Sequence, residues 1–177
     1  MTRLRFISFP ILTTQRLVLR QLQKSDDFTL FALRTDETVN RYIVRRRHTD
    51  ISETRKFIKM INNGIHKRTW LYWAICLQEL PELIGTICLW NFSDDYKTAE
   101  LGYELHPDYQ GMGYMDEAVK RVIRYSFETL GISKLEAFTH RENSRSTKIL
   151  EKNNFLFEPG RRDAENPDNI IFIREKQ

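Results

Sequence analysis

Cysteine, long apolar runs and dense charge of one sign are all scarce in this chain. Two cysteines, Cys76 and Cys88, occur among 177 residues. Both sit in apolar, strand-like runs, which suits buried reduced thiols and a cytoplasmic protein rather than a disulfide scaffold. Neither has partners at metal-ligand spacing, and the four histidines are dispersed, so no metal is expected. The longest apolar run, near Leu71 to Leu77, falls far short of the roughly 20 residues that span a bilayer, so no membrane partner is expected. Arg3 and Arg5 precede the stretch Phe6 to Leu12, but Pro10 interrupts it and no small-residue cleavage site follows. It is not read as a signal peptide. No internal repeat, low-complexity tract or linker divides the sequence, so residues 1–177 are read as a single domain with enough chain for a substantial core.

Lysine and arginine exceed aspartate and glutamate by 28 to 24, a formal charge of +4. That mild excess favours an anionic ligand. The basic residues are scattered and no basic-aromatic stripe is present, so nucleic acid is not an expected partner. One dense cluster, Arg45-Arg46-Arg47-His48, lies between two helical segments. It reads as a solvated loop, with contact to an acidic partner or to cofactor phosphates as the alternative.

Periodicity supplies the elements. Thr13 to Leu22 alternates like a strand. Ser25 is placed to cap a helix with Asp26 and Asp27 in its first turn, and Phe28, Phe31, Ala32 and Val39 supply its apolar face. Phe57, Ile58, Ile61 and Ile65 repeat at helical spacing in a second helix from Ser52, with Ile51 as a staple. Trp70–Leu77, Leu83–Phe92 and Thr98–His106 read as three antiparallel strands joined by short turns. A long helix from about Met115 to Leu130 follows, with Gly131 past its end. Then come a strand at Lys134–Thr139, a helix from Asn143 to Asn153, and two strands at Phe155–Phe157 and Ile170–Ile173. The fold class is α/β in the α+β sense: a mixed, largely antiparallel central sheet of about seven strands, flanked by about four helices.

The most informative stretch is Gln110-Gly111-Met112-Gly113-Tyr114-Met115, between a strand and a helix. The first turn of a helix has unpaired N–H groups and a positive dipole end. Glycines let that backbone approach a phosphate closely. A plain tight turn is the alternative.

Three segments carry a resemblance. Gln110 to Ala118 resembles the Q/R-x-x-G-x-G/A loop of the GNAT superfamily of N-acetyltransferases. Thr13 to Arg20 resembles the first strand of its ribosomal-protein-alanine N-acetyltransferase branch. Glu142 to Phe155 resembles that branch's N-x-x-S…L-E-K-x-G-F helix. The order and spacing fit from about residue 11 to 160.

The resemblance implies acetyl-CoA as co-substrate and a primary amine as acceptor, by direct attack in a ternary complex. The acceptor is a protein N-terminal α-amine or a small molecule such as a polyamine, amino acid or aminoglycoside. The rival class is a non-catalytic CoA-binding module. The backbone of Gln110, Gly111, Met112, Gly113, Tyr114 and Met115 would hold the pyrophosphate. Leu105 and His106 would pair through their backbones with the pantetheine arm, in a gap where the strands at 98–106 and 134–139 splay after a bulge. Asn143 would bond the cofactor, or serve as a plain N-cap. Exposed sheet edges are compatible with a homodimer.

Acetyl transfer needs a neutral amine, a donor to the oxyanion and a proton for the departing thiolate. Lysine amines titrate near 10.4 and α-amines at about 7.7–8.0, so an α-amine needs less help. Glu100 and Glu104 are the candidate bases. They are four residues apart on a strand and so point to one face, Glu104 lying nearer the glycine loop. Pairing with arginines is the alternative role for each. His106 is a weaker base candidate, since its place beside Pro107 suits a turn. Backbone N–H groups near Leu105 would serve the oxyanion. Leu150 stands where many members have an acidic tyrosine, and Ser146, one turn earlier, is the substitute donor to sulfur. Asn154 replaces a usual glycine at a left-handed position that asparagine tolerates. Tyr42 and Trp90 are the candidate walls of the acceptor pocket.

Overall fold

The computed structural model describes residue 6 and residues 8–176. Arg3 and Arg5, which enter the signal-peptide reading, lie outside them. No helix among the described residues is long and apolar enough to cross a membrane.

Among the described residues eight strands form one sheet; numbered along the chain, the first six lie side by side in order, followed by the eighth and then the seventh at the edge. The first expected strand is a hairpin of two: β1 (Leu12–Thr13) folds back on β2 (Leu17–Gln21), pairing Leu12 with Leu19. Thr14 makes the turn. Its N–H donates to Leu17 O and its hydroxyl accepts from Leu17 N. That local exchange interrupts the ladder where alternation alone sees one strand.

The helix after β2 also differs from expectation. Gln23, not Ser25, opens it through a capping box with Asp26, and a 3₁₀ turn at Lys24–Asp26 leads into α1 (Asp27–Thr35). Asp26 and Asp27 are buried, paired with Arg20 at 2.8 Å and Arg55 at 2.6 Å. Turning Asp27 inward puts Leu30 and Leu33 on the same face, so they are the buried residues and Phe28 is 70 % exposed. A short α2 (Glu37–Asn40), capped by Asp36, takes Val39 out of α1. In α3 (Ile51–His66) Asp50 caps Ser52 N, and Ile58, Ile61 and Ile65 are buried as expected.

Antiparallel strands β3 (Leu71–Leu77), β4 (Leu83–Trp90) and β5 (Thr98–Leu105) form the sheet's centre. Then come α4 (Tyr114–Glu128), β6 (Lys134–His140), α5 (Ser144–Lys152), β7 (Leu156–Phe157) and β8 (Asn169–Glu175). Two cores cover the two faces. One packs Leu101, Leu105 and Trp73 against Met115, Val119 and Val122 of α4 and Leu150 of α5. The other packs Ala74, Cys76 and Leu83 against Leu30 and Leu33 of α1 and Ile58 and Ile61 of α3.

The junction that positions the site is β5 with β6, the one parallel pair among the described residues. Their register covers Thr98↔Lys134, Ala99↔Leu135 and Glu100↔Glu136 and then stops. Beyond it β5 stays with β4 and β6 stays with β8, leaving a gap between residues 101–105 and 137–140. The gap does not arise from a bulge at Leu105: the β4–β5 register is continuous from Gly85↔Leu105 to Trp90↔Glu100, and the sheet's register shift lies between Ile75 and Cys76 on β3.

Gly85 holds the far end of β5 in place. A Cβ there would lie 2.5 Å from Glu104 O and 2.8 Å from Leu105 Cδ1. Gly85→Ala is therefore expected to displace this end of β5 and to destabilise the fold by about 1–3 kcal/mol. Urea denaturation checks it; an unchanged midpoint would mean that β5 yields at no cost.

Candidate active site

The glycine segment lies at the open end of the β5–β6 gap. Pro107–Tyr109 form a 3₁₀ turn capped by His106, and α4 then starts with Gly113 as its N-cap. Gly111 and Gly113 both have φ of 80°, a backbone that glycine adopts without strain. A Cβ on Gly111 would meet nothing within 4 Å. At Gly113 the nearest atom to such a Cβ is Arg16 Nη2 at 3.4 Å.

The acids in this first turn are neutralised. Asp116 bonds Lys120, Lys152 and Asn153. Burial alone would raise its pKa, but these donors hold it down to about 2. Glu117 is taken by Arg16 at 2.7 Å and by Thr14 at 2.5 Å. Arg16 also donates to Met112 O and stacks on the Tyr114 ring at 4.5 Å. Gln110 ties the loop to its surroundings: its Nε2 donates to Leu105 O at 2.8 Å, and its Oε1 accepts from Arg145 of α5.

The strand-end assignments need one correction. His106 N–H donates to Ile84 O and His106 O accepts from Tyr109 N, so neither backbone group faces the gap. Its ring caps Asp108 N, the turn role weighed for it. In an antiparallel ladder the bonding direction alternates. With His106 bonded to β4, Leu105 and Tyr103 turn their N–H and C=O groups towards the gap.

Side chains alternate too. Tyr103 faces α4 and α5, and its hydroxyl lies 2.9 Å from Ser146 Oγ. Burial pushes the phenol up to about 12, so it stays protonated. Sequence reasoning passed over Tyr103; the available signal was its odd-numbered place between Glu100 and Glu104, which sends it to the face that α4 and α5 cover. Asn143 is the N-cap of α5, accepting from Ser146 N at 3.2 Å. Leu150 is fully buried. Asn154 has φ of 57°, the left-handed position expected for it.

Glu100, Gly102 and Glu104 point to the opposite face, the side of α1 and α3. There the two glutamates differ sharply. Glu104 is 9 % exposed. Its Oε2 lies 2.7 Å from Arg45 Nη2 and its Oε1 accepts from Thr86, whose hydroxyl accepts in turn from Tyr72. Glu100 has only a long 3.4 Å bond from Asn91. Burial first, and then the negative charges of Asp163, Glu136 and Glu165, raise its pKa from 4.5 to about 7. Between them lies Gly102, over which Cys88 Sγ and the Trp90 indole close, 3.1 and 3.7 Å from where a Cβ would sit. Burial pushes the Cys88 thiol up to about 12, so it is no nucleophile.

Tyr42 and Trp90 bound this face at different edges. Trp90 is 44 % exposed and stands opposite Glu100 on β4. Tyr42 stacks on His140 of β6 at 5.1 Å. The basic cluster is not a freely solvated loop. Arg45 reaches Glu104 and Asn40, Arg46 reaches Glu53, and His48 bonds Thr54. Among the described residues no three His, Cys, Asp or Glu side chains assemble to hold a metal ion.

Comparison with known proteins agrees with this geometry. The acetyltransferase (GNAT) domain family matches residues 16–156. The chain is 35 % identical over 155 residues to the uncharacterized N-acetyltransferase p20 of Bacillus licheniformis, covering 87 % of this chain and 86 % of that protein. It is 31 % identical over 147 residues to the uncharacterized N-acetyltransferase YoaA of Bacillus subtilis (strain 168), covering 83 % of each. The fold of RimL, a ribosomal L7/L12 alpha-N-protein acetyltransferase solved in complex with coenzyme A, superposes with a TM-score of 0.81 at 18 % identity, over 94 % of this chain and 98 % of that one.

Proposed function

This chain belongs to the GNAT acetyltransferase family and is an acetyl-CoA-dependent N-acetyltransferase, and we propose that its acceptor is an α-amine, such as a protein N-terminus, attacked directly in a ternary complex. One observation carries the reading: the β5–β6 gap runs from the glycine loop to a closed end at Glu100 and Glu136, with an unpaired carboxylate of raised pKa on the acceptor-facing side. The residues fit the cofactor, because Gly111 leaves open space, Gly113 has only the Arg16 guanidinium near it, and the acids of the following helix turn are already neutralised. Bound acetyl-CoA supplies the activated acetyl thioester.

The chain's own groups then divide the work. The backbone of Gln110, Gly111, Met112, Gly113, Tyr114 and Met115 receives the pyrophosphate. Leu105 and Tyr103 offer backbone groups to the arm, and one of these N–H groups serves the oxyanion. Asn143 holds the start of α5 against the gap. Four residues of β5, about 13 Å at the rise of a strand, separate Leu105 from Leu101. An arm that fills the gap to its closed end therefore finishes nearer Glu100 than Glu104. Glu100 takes the proton of the acceptor's ammonium, directly or through water. Its pKa of about 7 lies within about one unit of an α-amine, the match that general-base catalysis favours. Glu104 anchors the Arg45 loop. Tyr103 and Ser146 form a hydroxyl pair that donates towards sulfur, replacing the tyrosine that Leu150 cannot supply. Tyr42 and Trp90 are the acceptor walls. RimL's name supports the protein N-terminus over small amines.

A thiol-release assay with acetyl-CoA tests the reading. The panel is peptides with free and blocked N-termini, polyamines, amino acids and aminoglycosides. Release with free but not blocked peptides is expected. Release confined to polyamines or aminoglycosides would overturn the acceptor assignment.

A further inference from the structure

Two glutamates close the β5–β6 gap side by side, and cations hold one of them. Glu100 and Glu136 are partners in the last registered pair of the two parallel strands. Neighbouring strands lie about 4.8 Å apart and register partners share a face, so both carboxyls stand on the acceptor-facing side. Glu136 is buried. Arg161 donates to both of its oxygens, at 2.6 and 2.9 Å, and Lys134, two residues back on β6, lies 2.9 Å away. Glu100 has the long bond from Asn91 and pairs with no lysine or arginine among the described residues.

Like charges on adjacent strands repel unless one of them is answered. Here the guanidinium fork answers Glu136. Arg161 first, and Lys134 with it, hold that carboxyl below its ordinary range against the effect of burial. Burial leads the rise of Glu100 to about 7; the Asn91 bond opposes it, and the charges of Asp163, Glu136 and Glu165 add to it. From β4 come Trp90, which is uncharged, and Cys88, a neutral thiol. Along β5 the next carboxylate, Glu104, is answered by Arg45. Two carboxyls of one kind are thus driven apart, the arrangement in which one keeps its charge and the other exchanges a proton.

Asp163 and Glu165 belong to the stretch 158–168 that joins β7 to β8. Bonds besides those of Arg161 tie this stretch down. Asp163 accepts from Asn169 Nδ2 at 2.7 Å, Glu158 N–H donates to Ile171 O, and Arg141 donates to Pro167 O at 2.6 Å. Removing the Arg161 guanidinium therefore changes the charge on Glu136 without releasing Asp163.

We propose that Glu100 and Glu136 work as one carboxylate pair, in which Glu136, fixed as an anion by Arg161 and Lys134, is a positioning residue that keeps Glu100 a strong base for the acceptor amine. This rests on Glu100 being the base, as assigned above. Arg161 acts at one remove, because it screens part of the Glu136 charge from Glu100. Glu136 and Arg161 therefore act in opposite directions on the same proton.

NMR of the intact enzyme, with glutamate isotope-labelled at Cδ, reads that proton directly, and Glu100→Gln identifies the Glu100 signal. In Glu136→Gln the Glu100 midpoint is expected to fall by about one pH unit, and in Arg161→Met to rise by about half a unit. The glutamate limb of kcat/KM, with the acceptor that the thiol-release panel identifies, should move with the midpoint while the amine's own limb stays. Once Glu136→Gln is present, Arg161→Met should add no shift, since the charge it screens is gone. Arg161→Lys should lie between Arg161→Met and the parent. Loosened packing cannot mimic this pattern, because water entering the site would lower the midpoint in both single variants. Shifts of the same sign, or none, overturn the inference and leave Glu100 as the base where Glu100→Gln still removes the limb. Midpoints that move while the limb stays overturn the base assignment, and the role of the pair with it.

Discussion

Glu100→Gln is expected to lower kcat by about 10²–10⁴-fold, the usual range for loss of a general base, and to make the protein more stable at pH 8. The two effects share one cause. The Glu100 carboxyl is half-buried among negative charges, with a pKa raised from 4.5 to about 7. The folded state therefore holds this proton more tightly than the unfolded state. Between those two values the native protein binds more protons, so its stability falls as pH rises and the full penalty is present above about 7. Glutamine removes the penalty. Its Tm should exceed the parent's by several degrees at pH 8, and the difference should vanish towards pH 4. In activity the sign reverses. The base is the carboxylate, so kcat/KM of the parent rises as pH passes about 7, and that limb is lost in the variant. The α-amine acceptor titrates at about 7.7–8.0 and keeps its own limb in the variant, so the parent's profile carries two limbs and the variant's one. Glu104→Gln provides the contrast. It strips the charge opposite a buried guanidinium, so it should lower Tm while leaving the limb near pH 7 in place. If Glu100→Gln retains both full activity and that limb, Glu100 is not the base.

What the sequence disclosed and what it hid follow from distance along the chain. The glycine loop was legible because its whole physics lies within a few residues: a strand end, two glycines at positive φ, and a helix start. The α4 face was legible for the same reason. The capping role of Asn143 came from residue type, and the left-handed Asn154 from its standing where the resembling family has a glycine. The partition between Glu100 and Glu104 was not legible. It depends on Arg45, which arrives from a loop between two helices and lands on Glu104 rather than on Glu100. Nothing local to Arg45-Arg46-Arg47-His48 marks which of its charges is buried. Tyr103 was hidden by the same alternation that exposed the glutamates: fixing attention on one face of β5 left the other unread, though its hydroxyl meets Ser146. The inward turn of Asp27 was likewise invisible until Arg55 was seen to pair with it. Tertiary ion pairs overrode helix periodicity there, and Phe28 moved to the surface.

The largest loss of cofactor affinity is expected from Gly113→Val. At this position φ is 80°, in the left-handed region that β-branched residues avoid. The backbone would resist the change by about 1–2 kcal/mol, enough to lower Tm by a few degrees but not to unfold the domain. Inside the protein the new Cβ has room, because its nearest neighbour beyond the adjoining residues is Arg16 Nη2 at 3.4 Å. The side chain therefore damages little of the fold. It does cover the helix N-terminus that the loop leaves open, and close approach of a phosphate to those amides is the reason for glycine there. Coenzyme A affinity, measured by calorimetry, should fall by about 100-fold or more, which corresponds to about 3 kcal/mol. Gly111→Asn is the matched control. It too sits at φ of 80° with no atom within 4 Å of the added Cβ, and asparagine accepts this conformation. Its effect on stability should be smaller than that of Gly113→Val. Salt separates the origin of the loss: binding by the parent should weaken as ionic strength rises, whereas residual binding by Gly113→Val should respond less, because the amide–phosphate contact is the part removed. Unchanged affinity in Gly113→Val would place the pyrophosphate elsewhere and detach the glycine loop from cofactor binding.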